Sequence, residues 1–417
     1  MSRINDLIKE MCPNGVRYNK LSEIGNQFSG LSGKSKNDFE NGNCKYITYT
    51  NIYNNPSTNL DVEDYVQVKE NEKQNEIKYK DILVAGSSEN LEDSGMISVV
   101  TKKPSEKIYL NSFCFGFRLN DNFYDKYNPD FLKHIFRDKN FRNEIISCSF
   151  GVTRYNLSKE KFLKIKIPCP PLEVQEEIVK ILDKFGELEA ELEAELEARQ
   201  SQYEFWREKL LAVKDARVYK LNDLVDLYLG LTHTPKYVDS GIKFISSMNI
   251  SKGYLDLDNT KFISQEEYNN CTSNAKPKKG DVLYVRVGSN LGHPVIYDLD
   301  EEICVFVSVG FARVKDSTIL SNRYLKHWMD SDLFMKQVKA KTMNAPKANL
   351  NATWLKDFEI FVPNIDEQIR IISLLDKFDK LVNDITEGIP AEIELRRKQY
   401  EYYRNKLLSF EELSVSE

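Results

Sequence analysis

Two stretches of this chain, almost two hundred residues apart, nearly repeat each other: residues 174–185 (VQEEIVKILDKF) and 367–378 (EQIRIISLLDKF). A second pair agrees more closely. Residues 199–211 (RQSQYEFWREKLL) and 396–408 (RRKQYEYYRNKLL) share Arg, Gln, Tyr, Glu, Arg, Lys and the closing Leu-Leu in register. A match of this length makes the chain a duplication of one unit, a globular part followed by a long helix. Outside the helices the copies still align: 17–24 (RYNKLSEI) with 217–224 (RVYKLNDL), Gly30 with Gly230, 45–52 (KYITYTNI) with 243–250 (KFISSMNI), 81–84 (DILV) with 281–284 (DVLY), and FLKHIF from Phe131 with YLKHW from Tyr324.

A chain of 417 residues has room for two or three domains, and the duplication sets the number at two. Apolar residues make up 41% and charged residues 29%, a globular composition rather than a disordered one. No run approaches the ~18 consecutive apolar residues of a membrane span. The opening MSRINDLIKEMC lacks the apolar core of a signal peptide, so a cytoplasmic protein is expected. Seven scattered cysteines, with no CxxC, point to reduced structural thiols. Four unclustered histidines, His134, His233, His293 and His327, point away from zinc and toward plain surface or core roles. The net charge of −6 is matched by six glutamates within 187–197 (ELEAELEAELE), so the remainder is balanced. Whole-chain charge is then silent on nucleic acid, whose binding depends on local basic surface.

The short β-branched and aromatic segments KYITYTNI, DILVA, GMISVV, SFCFGFRL and KIKIP read as strands, and 129–142 and 321–339 carry helical spacing. Each globular half is thus α+β, closing at Pro168 or Pro363. Beyond Pro171 the pattern becomes a long amphipathic helix whose stripe includes Ile178, Leu182, Phe185, Leu192, Leu196, Tyr203, Trp206 and Leu210. About 40 residues at ~1.5 Å each give ~60 Å, too long to fold onto one domain. The second copy offers Ile371, Leu375, Phe378, Ile385, Ile389, Tyr400, Tyr403 and Leu407, with a break or kink at Gly388 and Pro390. Pairing the two stripes as an antiparallel coiled coil buries both and relates the halves by a pseudo-twofold axis. The divisions are 1–170 and 213–364 for the globular halves, with 171–212 and 365–417 for the helices. The first copy fills the gap between Phe185 and Arg199 with the tetrapeptide repeat LEAE, four residues shorter than the matching gap between Phe378 and Arg396. Four helical residues move one end by ~6 Å and turn it by ~40°, which makes the repeat a length-setting spacer.

Three loop pairs lie at matching places. The first, 29–39 (SGLSGKSKNDF) and 230–237 (GLTHTPKY), offers Ser32, Lys34, Lys36, Thr232, Thr234, Lys236 and Tyr237. The second, 86–90 (GSSEN) and 286–292 (RVGSNLG), offers Ser87, Ser88, Arg286, Ser289 and Asn290. The third, 151–157 (GVTRYNL) and 342–350 (TMNAPKANL), offers Arg154, Tyr155, Lys347 and Asn349 beside Asn156. Small and glycine-rich backbone approaches phosphate, Lys and Arg neutralise it, and Ser, Thr, Asn and Arg read base edges. For any single residue here, ordinary turn chemistry is the commoner role. The Gly33-Lys34-Ser35 tail imitates a phosphate-binding loop, but Phe28 stands where the first glycine is required. With no GxGxxG, HExxH or GxSxG, the chain reads as a binder rather than a catalyst.

Those residues resemble the specificity subunit of type I DNA restriction-modification enzymes, over essentially the whole chain. The resemblance rests on the junctions 164–175 (KIKIPCPPLEVQ) before ILDKF and 358–368 (FEIFVPNIDEQ) before LLDKF, and on the tetrapeptide repeat. Val174 departs from the family's usual acid, and the second copy keeps only Pro363 of the proline cluster. The resemblance implies a non-catalytic subunit with two target-recognition domains that read a split sequence in double-stranded DNA. The helices would dock two methylation subunits bringing S-adenosylmethionine, and restriction subunits would bring ATP and Mg. The contrasting reading is a coiled-coil adaptor with two protein-binding ends.

Overall fold

The tetrapeptide ILVA shows how each globular part is built. In the strand Ile82–Ala85 every residue is buried, because Ile82 and Val84 enter one hydrophobic core while Leu83 and Ala85 enter another on the opposite face. Its repeat, Val282–Val285, does the same, with Val282 and Tyr284 on one side and Leu283 and Val285 on the other. The computed structural model describes residues 2–213, 216–288, 290–342, 349–384 and 386–413.

The chain forms two compact units, one of residues 1–191 and 394–417, the other of residues 192–393. In the first, an antiparallel sheet runs in the order Gly25–Ser29, Cys114–Leu119, Ile82–Ala85, Ile97–Val99. In the second, Val225–Leu229, Val309–Val314, Val282–Val285 and Pro294–Ile296 follow the same order. A smaller sheet in each contains a parallel pair, Cys44–Ile47 with Ile108–Leu110 and Ile242–Ile245 with Ile303–Val305. A two-stranded clasp joins the beginning and end of each globular part, Tyr18–Lys20 to Lys166–Pro168 and Arg217–Lys220 to Glu359–Val362.

The same ion pair braces both main sheets. Arg118 grips Asp81 with two hydrogen bonds of 2.7 Å, and Arg313 grips Asp281 at 2.9 and 2.7 Å. Each aspartate also accepts from a backbone amide three residues earlier, Lys78 or Lys278. The glycine pair Gly30 and Gly230 answers to close approach: a Cβ at either would lie 2.1 Å from a carbonyl oxygen, of Asn111 or Phe306.

The helix after the first globular part is continuous over Leu172–Leu211. Its counterpart is two helices, Ile365–Asn383 and Ile389–Leu408, with Gly388 just before the second and Pro390 in that helix's first turn. Inside the first unit, Val174, Ile178 and Leu182 share a core with Leu407 and Leu408. Phe185 meets Tyr400 and Tyr403, with ring centroids 6.0 and 5.5 Å apart, and Glu189 bonds Arg397 at 2.6 Å. Advancing along one helix retreats along the other, so the pair is antiparallel. Inside the second unit, Tyr203 and Leu211 join the core of Ile371 and Leu375, and Tyr203 stacks on Phe378 at 6.2 Å. Leu192 and Leu196 are only partly buried.

Three expectations need correction. The segment 45–52 is strand only through Ile47, because the Thr48 side chain accepts from the Asn51 amide and starts the helix Tyr49–Asn54. The segment 129–142 is split into Pro129–Ile135 and Lys139–Ser147 by Asp138, whose carboxylate caps the second helix. Likewise 321–339 divides into Asn322–Met329 and Asp332–Thr342.

Candidate nucleic-acid interface

Two of the three loop pairs converge in the first unit. The strand Ser87–Ser88 pairs with Tyr155–Leu157, setting Tyr155 opposite Ser88 and Asn156 opposite Ser87. Arg154 Nη2 donates to Ser87 Oγ at 3.2 Å, and its guanidinium lies 5.7 Å over the exposed ring of Phe113. Behind them opens a cleft of about 480 Å³ lined by Tyr49, Tyr53, Phe113, Ser87, Glu89, Asp93 and Arg154. The remaining loop bonds elsewhere, to residues 67–74. Lys34 Nζ donates to Gln67 O and Glu72 Oε2, both at 2.6 Å, and its side chain is buried. Hydrogen bonds from Lys34, Gln74 and the Lys69 amide hold the Glu72 carboxyl at about 2. Lys34, expected at phosphate, is instead a brace of its own loop, while Ser32 and Lys36 are exposed beside it.

In the second unit the bridge Val287↔Asn349 and the bond from the Leu350 amide to Arg286 O join the same two loops. Arg286 also departs from expectation. It is buried, donating from Nη1 to Val307 O at 2.8 Å and from Nε to Leu350 O at 3.2 Å, with Asn349 Oδ1 at 3.5 Å from Nη2. It positions the loops rather than facing solvent. Thr232, Thr234, Lys236, Asn290 and Asn349 are exposed, and Asn290 donates to Ser251 O. Tyr237 lines a cleft of about 500 Å³ with Phe306, Lys252 and Lys261, whose ammonium sits 4.4 Å over the tyrosine ring. Ser289 and Lys347 lie outside the described residues, as does Ile385 of the helical stripe.

A buried polar frame of glutamine, histidine, aspartate and tyrosine recurs in both units. Gln175 donates to Lys126 O and Pro170 O and accepts from the Asn128 amide; Gln368 donates to Ile319 O and Pro363 O and accepts from the Ser321 amide. His134 Nε2 bonds Asp183 at 2.8 Å and its Nδ1 lies 3.3 Å from Tyr400 Oη. His327 repeats this with Asp376 at 2.7 Å and Tyr203 at 3.4 Å. Lys133 on Asp183 and Lys326 on Asp379 complete the set.

Burial pushes both imidazoles below their ordinary value, outweighing the adjacent carboxylates. Burial would raise the Asp183 carboxyl, yet the hydrogen bonds from His134 and Lys133 hold it at about 2. Each imidazole is therefore neutral, with Nε2–H donating to an ionised carboxylate and Nδ1 accepting from tyrosine. These histidines carry more than the core role first read for them. The signal was present in the register: Lys-His and Leu-Asp recur in step with the duplication.

The sequence profile of the family described as type I restriction modification DNA specificity domain matches residues 13–198 and again 214–395. The chain belongs to that specificity family. The EcoR124I/EcoR124II specificity subunit of Escherichia coli is 35% identical over 258 residues, covering 59% of this chain and 63% of that protein, just under two-thirds of its length. A putative type I specificity subunit of Haemophilus influenzae, S.HindORF215P, is 35% identical over 301 residues, 69% of this chain and 73% of the relative. Among solved structures, a chain described under complex assembly and conformational transition of the type I R-M system superposes with a TM-score of 0.65 at 17% identity, covering 95% of this chain and 98% of its own. The HsdS subunit from Thermoanaerobacter tengcongensis gives 0.52 at 16% identity, covering 95% and 97%. At these identities the structural likeness bears on the fold alone. In this specificity chain no helix among the described residues is long and apolar enough to cross a membrane.

Proposed function

We propose that each unit reads one block of a split sequence in double-stranded DNA, and that the chain is the non-catalytic reader for partner subunits that methylate and cut. The observation that carries this reading is a contrast between frame and lining. The glutamines, histidines, tyrosines and Asp–Arg pairs are the same in both units, whereas the cleft linings differ. Tyr49, Tyr53 and Phe113 of the first unit correspond to Ser247, Ser251 and Ser308 of the second. A common frame with divergent surface residues is what two readers of different base sequences require.

The helices supply the docking surface. Phe205 and Tyr402 occupy equivalent positions, are 59% and 60% exposed, and carry Lys209 and Lys406 at 5.7 and 6.0 Å from their rings. Two equivalent exposed aromatics per chain support one methylation subunit on each. Restriction subunits, and the S-adenosylmethionine, ATP and Mg of the chemistry, then belong to the partners.

The test is a methylome. The chain is expressed with its methylation subunit in a host free of DNA methylation, and modified adenines are mapped by sequencing. A motif of two short blocks with a fixed gap is the expected result. Unmodified DNA from an assembled complex would leave the adaptor reading instead.

A further inference from the structure

The cleft of the first unit contains something a phosphate-binding groove should lack. Tyr49 and Tyr53 project from one face of the helix Tyr49–Asn54, with rings stacked at 6.3 Å, and Phe113, 63% exposed, lines the cleft with them. Two carboxylates, Glu89 and Asp93, lie in the same lining as Arg154. Asp93 is fixed in place: its Oδ1 accepts from Tyr53 Oη at 3.3 Å and its Oδ2 from Asn90 Nδ2 at 3.2 Å. Glu89 is exposed and makes no hydrogen bond or ion pair among the described residues.

A free carboxylate near duplex DNA is repelled by the phosphates, so it weakens binding unless something on the bases repays it. In the major groove the only hydrogen-bond donors are the exocyclic amino groups, N4 of cytosine and N6 of adenine. The acceptors of guanine and thymine are rejected by the same negative charge. Arg154, fixed by Ser87 and the Phe113 ring, is a donor placed to meet an acceptor such as a purine N7 or guanine O6. Once a base lies against them, the aromatic side chains would displace water and strengthen both contacts.

We propose that Glu89, which lines the same cleft as the Asp93–Tyr53–Asn90 cluster, selects a base bearing an exocyclic amino group at one position of the block read by the first unit. The inference rests on the reading of the units as DNA readers. It confines the effect to one block, because the corresponding aromatic positions of the second unit are serines.

The experiment compares methylomes of the assembled complex carrying the wild-type chain, Glu89→Gln, Glu89→Ala or Asp93→Asn. The wild type should require a defined base pair at the position that Glu89 contacts, with its adenine or cytosine facing the carboxylate. Glu89→Ala should lower that preference about tenfold or more. Glu89→Gln should admit bases that offer acceptors, since the amide adds a donor, and Asp93→Asn should relax the same position. The other block should be unchanged in all three. A split wild-type motif retained base for base in the Glu89 variants overturns this inference while leaving the DNA-reading function standing. So does a uniform fall in methylation with no change of bases, or relaxation confined to the other block. A wild-type complex with no split motif overturns both.

Discussion

Gln175 and Gln368 are each fully buried and spend one side-chain amide on three backbone groups from two different segments. Each ties the start of a long helix to the loop before the helix that carries its histidine. Gln368→Leu would strand the Ser321 amide and two carbonyls away from water, at about 1–3 kcal/mol for each group left unsatisfied. A fall of about 3 kcal/mol or more in unfolding free energy is expected by denaturant titration, with a comparable loss for Gln175→Leu; an unchanged midpoint would refute the role. The exposed pair Phe205 and Tyr402 calls for the opposite result. Phe205→Ala and Tyr402→Ala should leave the melting temperature alone yet each weaken capture of a methylation subunit by about 1–2 kcal/mol, read by titration calorimetry. At this scale the sequence was only partly legible. Gln175 and Gln368 stood out as motif letters, and the repeat marked Arg154, but nothing in the letters distinguishes an exposed arginine from Arg286, whose donors are consumed by Val307 and Leu350. Burial is decided by residues remote in sequence.

The paired helices are locked to each globular part through a titrating group. His134 and His327 sit between a carboxylate of one helix and a tyrosine of another, Asp183 with Tyr400 and Asp376 with Tyr203. Because both imidazoles are held below their unfolded value, the unfolded chain binds more protons as the solution is acidified. Their contribution is therefore complete above about pH 6.5 and is lost as the pH falls below it. The carboxyls of Asp183 and Asp376, also lowered, act in the same direction at more acid pH. Melting temperature should drop on going from about pH 7.5 to about pH 5.5. The double variant His134→Gln, His327→Gln should show a shallower slope across that window, and an equal slope would discard the account. Elements were more legible than residues. The break before Ile389 follows from Gly388 and from Pro390 in the first turn of the second helix, and the continuous helix Leu172–Leu211 from its periodicity. The interruption at Asp138 was missed because a helix-spaced apolar pattern continues across it while the cap depends on a single side chain.

On the scale of the whole chain, duplication fixed the count of two units, but not how the pieces are shared out. Each unit joins one copy's globular part and first helical turns to the far end of the other copy's helical region, residues 394–417 in one case and 192–211 in the other. Sequence shows that the helices match and must bury a stripe; which stretch meets which is settled by contacts such as Phe185 with Tyr403 and Tyr203 with Phe378. The acidic repeat 187–197 lies between the two packed stretches of Leu172–Leu211, and Leu188, Leu192 and Leu196 within it are only partly buried. Sparse packing lets such a segment change length without dismantling a core. Inserting one more LEAE adds ~6 Å of rise and ~40° of turn. If the two units read two blocks of one duplex, the gap between the blocks should lengthen by about one or two base pairs at ~3.4 Å each, with both blocks otherwise unchanged. Deleting a repeat should shorten the gap by the same step. The methylome of the insertion variant reads this directly. A gap that stays fixed while methylation persists would show that the repeat does not set the spacing, because helix continuity leaves no other place for the added rise to be absorbed than a rearrangement of the packed stretches on either side.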